Sequence, residues 1–287
     1  MNTMISFPED LTDFLIWVRE TTEAYWSKVS SEELIHGAKW LPLSDSQIDE
    51  LEATYAIKFD VEHRAFLKIL HTIDKHYEIE EAPEDEADYQ ITAEQKRIAE
   101  FWNPPNRPSY FYNWITDKEW IVSRLAWVED MLMGSISGPN TSWLRSWGPP
   151  KETMEEKIVV FKEWFQKTPA LLPIYAHSFL MADGGHGLKP VISVYGFDSI
   201  IVAWSLRHFL LRKFATELGL TAKYYNEEFQ EEYEDMVRGI PELDALQMIS
   251  LAEADIPYWK EVLRYYHHQY NYNWWEGFWV PYGNPKK

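Results

Sequence analysis

The chain has 287 residues and a formal charge of −19, from 46 acidic against 27 basic side chains. That balance argues against direct binding to a nucleic-acid backbone, which takes a basic surface; it allows attraction to basic partners, with solubility alone as the plainer reading. Cysteine is absent, which excludes disulfides, thiolate metal sites and a cysteine nucleophile and fits a reducing, cytoplasmic setting.

Hydrophobic residues make up 46% of the chain, with 15 Trp and 17 Tyr, so a folded core is expected. No apolar run approaches the ~18 residues of a transmembrane helix, and the first residues lack the pattern of a signal peptide. Neither a membrane partner nor secretion is expected.

In chain order, residues 10–20 carry Leu11, Phe14, Leu15 and Val18 at helical spacing. Residues 27–38 read as a short helix or loop. Ser44 and Gln47 have capping-box spacing before Ile48, Leu51 and Tyr55. Asp60 predicts the start of a further helix with Val61, Ala65, Ile69 and Leu70. Two breaks follow, an acidic one at 78–88 and a proline-rich one at 103–108. A helix is predicted over 117–128, turns over 136–147, and another helix over 151–168 with Met154, Ile158, Phe161 and Phe165.

Residues 172–177 then read as a strand, followed by a glycine-rich turn. Residues 190–195 and 198–202 read as two strands around the tight turn Gly196-Phe197-Asp198. Ser205 caps an amphipathic helix of Leu206, Phe209, Leu210 and Phe214, with Gly219 as its stop. Residues 225–237 are acidic and read as helical, and 254–270 as a last helix. With no internal repeat or flexible linker, one α+β domain over 1–287 is expected.

These segments resemble the SUKH superfamily, named partly for yeast cell-wall-synthesis regulators and for Syd. The matching pieces occur in family order: Leu41-Pro42 before the helix at 45–53, Phe66-Leu67 within the next helix, Trp147-Gly148-Pro149-Pro150, the strand at 172–177, and the block from Pro190 through the helix at Leu206. The sequence departs from the pattern at Asp60, Phe197 and Val202-Ala203-Trp204. The resemblance covers about 42–218 and leaves 219–287 as an acidic and aromatic helical extension. It implies a twisted, mostly antiparallel sheet flanked by helices, with helical additions at both ends. It also implies protein binding, since many bacterial relatives neutralise a cognate toxin, often a nuclease.

The residue types that could carry chemistry stand as follows in the sequence. His177, Asp183 and His186 lie close in a glycine-containing stretch, where local backbone capping explains them. His71 and His76, and His267-His268, lack the spacing of a helical zinc pair. Gly134-Ser135-Ile136-Ser137-Gly138 has Ile136 where a nucleophile elbow has serine. No catalytic residue, metal or cofactor is therefore expected. Asp198 reads as a turn former with a possible place on a binding surface. Glu227, Glu228, Glu231, Glu232, Glu234 and Asp235 form a dense acidic helix that reads either as a solvated face or as a candidate docking surface for a basic partner. The C-terminal aromatics, Tyr265 to Tyr282, read as core or contact residues.

The expected function is an immunity protein that binds a cognate toxin stoichiometrically. An intracellular regulatory scaffold is the alternative, and an enzyme acting on a carbohydrate or small molecule the third reading.

Overall fold

In the computed structural model, which describes residues 6–75, 111–138, 141–182 and 188–269, the first helices begin where their caps dictate. Helix α1 (Leu11–Trp26) is capped by Asp10, whose carboxylate accepts from the Asp13 N–H at 3.1 Å. Helix α2 (Asp45–Tyr55) carries the expected reciprocal capping box of Ser44 and Gln47. Helix α3 (Val61–Ile69) starts on Asp60, which accepts from the His63 N–H at 2.8 Å. Arg64 ties α3 to α2 through Asp49 at 2.7 Å and the buried Glu52 at 3.1 Å. A short antiparallel pair, β1 (Trp40–Leu41) and β2 (Thr72–Ile73), brackets the two helices.

Helix α4 (Lys118–Ser137) runs past the predicted end at 128. The Gly134–Gly138 segment is therefore the last turn of a helix and its C-cap, which removes any elbow geometry. A 3₁₀ turn (Arg145–Trp147) and helix α5 (Met154–Phe165) follow, the latter with a Thr153–Glu156 capping box.

The central sheet is an antiparallel meander of β3 (Leu171–Tyr175), β4 (Ser178–Met181), β5 (Val191–Tyr195) and β6 (Asp198–Ala203), in that order. Strand β3 forms one edge and carries Pro173. Alternating side chains bury on opposite faces. Leu172, Ile174, Leu180 and Val191 join a first core with α1, α2, α3 and helix α6 (Leu206–Lys213). Leu171, Phe179, Met181, Ile192 and Val194 join a second core with α4, α5 and helix α8 (Trp259–Gln269). Burial on both faces is why these strands read as continuous apolar runs. Each large side chain so buried contributes about 1.5–3 kcal/mol.

The β5–β6 turn is held tightly. Gly196 has φ +62°, and a Cβ there would lie 2.1 Å from Ser135 Oγ and 2.8 Å from the Met131 carbonyl of α4. Phe197 fills the second core beside Trp147 and Tyr265. Ser205 caps α6 as expected, accepting from the His208 N–H at 3.1 Å. That helix ends at Lys213, and turns lead to Gly219.

The acidic segment is not a helix. Strands β7 (Thr221–Asn226) and β8 (Glu231–Met236) form an antiparallel hairpin, followed by helix α7 (Pro241–Gln247) and α8. A helix would stack Glu227 on Glu231, Glu228 on Glu232 and Glu231 on Asp235 at i, i+4 spacing, where like charges repel. The hairpin relieves this, and Asn226 builds the turn by accepting from the Glu228 and Phe229 N–H groups at 2.9 and 3.2 Å. The region from 219 thus opens with a ribbon where an acidic helix was expected. No helix among the described residues is long and apolar enough to cross a membrane.

Candidate protein-docking surface

Among the described residues, the hairpin is anchored only at its base. Met236 and Val237 pack against the first core, and the Val237 N–H donates to the Leu220 carbonyl at 2.7 Å. Farther out, every residue from Glu227 to Asp235 is exposed. A two-stranded ribbon that buries neither face gains little from packing, so its composition answers to something other than the core.

Register sorts the side chains into two faces. One carries Lys223, Tyr225, Glu232 and Glu234, and the other carries Tyr224, Glu231, Tyr233 and Asp235. Glu227 and Glu228 occupy the turn with Phe229 and Gln230, the last at φ +54°. Tyr224 and Tyr233 stack across the strands at 5.9 Å, and Arg238 lies 4.8 Å over Tyr224. None of the six carboxylates forms a salt bridge with a described residue.

The structure therefore gathers six of the seven acidic candidates on one protruding element. Asp198 stands apart, at the β5–β6 turn, exposed but with its carboxyl raised above the ordinary value by desolvation. The hydroxyl that ties this turn belongs to Ser199, donating to the Gly196 carbonyl at 2.7 Å. The expected turn-forming role thus falls to the neighbouring residue.

Three residues that the sequence reading passed over complete the surface. Phe229 is 67% exposed, Tyr225 60% and Tyr233 37%. Large aromatic groups held in water are unusual on a surface with no partner, and they are the residue type that dominates binding energy at interfaces. The signal in the sequence was the pairing of Tyr224-Tyr225 and Tyr233 around Asn226, a strand–turn–strand pattern masked by the glutamates.

The groups considered for chemistry have structural employment. His71 holds its Nδ1 2.7 Å from the Leu41 carbonyl and accepts from the Trp114 N–H at Nε2, 3.0 Å away. Both nitrogens are used, so the ring is neutral and closed to a metal; burial depresses its pKa to about 4. His63, walled in by Phe59, Phe66 and Trp114, is pushed down to about 3 by burial and then by His71. His177 packs on Trp127 and meets the Tyr195 hydroxyl at 3.0 Å.

Asp183, His186, His76, the acidic stretch 78–88, the proline-rich stretch 103–108 and the aromatics from Tyr270 onward lie outside the described residues, as do the side chains of His267 and His268. Among the described residues, no group of three or more His, Asp and Glu side chains is placed to hold a metal ion. Compared with protein-family models, curated proteins and solved structures, the chain matches none.

Proposed function

We propose that this chain is a non-catalytic protein-binding protein that docks a basic partner on its β7–β8 ribbon. The observation that carries this reading is the ribbon itself: six carboxylates that form no salt bridge among the described residues, interleaved with exposed Tyr225, Phe229 and Tyr233, on an element that contributes almost nothing to either core. Carboxylates would steer and orient the encounter, and the aromatic rings would supply most of the affinity once desolvated.

The most specific form of the proposal is an immunity protein. It would neutralise a cognate toxin, such as a nuclease, by stoichiometric occlusion of a basic, substrate-binding surface. The SUKH-like order of pieces over 42–218 supports that form, and so does the net charge of −19. Asp198 would contribute only if the partner also reaches the central sheet.

The test is titration of the purified chain against the toxin-like protein encoded beside its gene. Binding at a one-to-one ratio is expected, with an association rate that falls about tenfold or more from low to physiological salt. A Glu231→Gln/Glu232→Gln/Glu234→Gln variant should lose most of that salt dependence. A partner that binds at the same rate at all ionic strengths, or binds this variant unchanged, would remove the ribbon from the mechanism. An intracellular host protein as the only ligand would move the function to a regulatory scaffold.

A further inference from the structure

A cavity of about 910 Å³ opens on the second core, between the 3₁₀ turn, α5 and the start of α8. Its size is that of a small-molecule site. None of its lining residues belongs to the acidic ribbon. Its character is the opposite of the protein's. Five of the chain's 27 basic residues line it, namely Arg145, Lys151, Lys167, Lys260 and Arg264, against three acids, Glu163, Asp255 and Glu261. In a molecule of net charge −19 this is a local concentration of positive charge.

Part of that charge builds the wall. Lys260 donates to the carbonyls of Ala252 and Ala254 at 2.6 and 2.8 Å. Glu261 accepts from the Ser146 N–H at 3.1 Å and so clamps α8 to the 3₁₀ turn. Lys151 and Lys167 are instead exposed at the rim.

The rest of the lining is aromatic. Trp143, Trp147 and Trp164 meet at near-perpendicular angles, with Trp147 4.9 Å from Trp143 and 5.5 Å from Trp164. Tyr258, at φ +62°, is held at the mouth by a three-residue turn closed by the Trp259 N–H on the Pro257 carbonyl at 2.7 Å. Strained backbone of this kind persists where the surroundings impose it, and it concentrates at ligand sites. Trp147 is only 9% exposed, and its indole N–H is buried with no hydrogen-bond acceptor among the described residues. A buried donor left without a partner is destabilising, and an acceptor on a bound molecule would relieve it. The first turn of α8 adds the positive end of a helix dipole to the same wall.

We propose that this cavity binds a flat aromatic small molecule that carries an anionic group. Its ring lies among Trp143, Trp147, Trp164 and Tyr258. Its acidic group is held toward Lys151, Lys167 and the start of α8, and an acceptor atom meets the Trp147 indole.

The test is isothermal titration of the full chain with three probes that separate ring from charge: naphthylacetate, naphthylmethylamine and acetate. Saturable binding of naphthylacetate is expected, with naphthylmethylamine about tenfold weaker or worse and acetate silent. A Lys151→Gln/Lys167→Gln variant, altered only at exposed positions, should weaken naphthylacetate about tenfold while leaving the melting temperature unchanged. Trp147→Phe keeps a ring and removes the donor, and it should weaken binding severalfold. The proposal is overturned if naphthylacetate fails to bind, if the cationic probe binds as tightly, or if the lysine variant binds as the parent does.

Discussion

The β5–β6 and β7–β8 hairpins are paired alike and stabilised by opposite means. The first has both faces in apolar cores, and its tip is pressed against α4 so closely that only glycine fits at 196. The second, among the described residues, exposes both faces and buries only its root. Strand pairing by itself is a small part of a hairpin's stability; what lies on its faces decides whether it is scaffold or surface. In this chain the buried hairpin holds the layers together, and the exposed one is left to carry charge and aromatic rings into solvent.

Acidification should separate the two most strongly. His63, His71 and His208 are all buried, with pKa values depressed to about 3, about 4 and about 4. Their folded pKa values lie below the unfolded value, so the unfolded chain takes up protons first. Stability is full above pH ~6.5 and falls as the pH drops toward the folded values. At pH 5 the loss is about 2 kcal/mol for each histidine. His71 and His208 also accept backbone N–H groups at a ring nitrogen, which protonation forbids. Urea midpoints at pH 7 and pH 5 measure this, and equal midpoints would refute it.

Gly196→Ala comes next. It adds a methyl group where α4 leaves no room and strains the backbone, so a loss of about 3 kcal/mol is expected in the same unfolding assay. A variant as stable as the parent would mean that the turn is not pinned. Hydrogen exchange sharpens the contrast: amides of β7 and β8 should be protected at least about tenfold less than those of β4 and β5. Smallest of all is Glu231→Gln/Glu232→Gln/Glu234→Gln, expected to shift stability by no more than about 0.5 kcal/mol per site. A large loss would show that the ribbon's charges serve the fold.

How much of this was legible in the sequence follows from the range of each interaction. The caps at Ser44, Asp60 and Ser205 were readable because a cap involves residues three apart. The β5–β6 turn was readable for the same reason. Strand β4 was missed because Ser178-Phe179-Leu180-Met181 becomes a strand only through partners on both sides, Leu172 to Leu180 and Phe179 to Ile192 among them. At the docking surface the acids were found but given the wrong element, since their density was read without weighing the repulsion a helix would impose. The cavity was invisible because its walls come from 143–167 and 254–265, brought together by contacts such as that of Ser146 with Glu261.

Pro173 has a consequence beyond its own strand. A sheet edge with an unbroken row of amide donors is a template on which another chain can polymerise. Strand β3 offers an interrupted row, because proline has no N–H to give. At the opposite margin β6 is packed by α8. The central sheet thus stops at four strands and resists fibril-like self-association, so crowded expression should yield discrete particles rather than stacked aggregates.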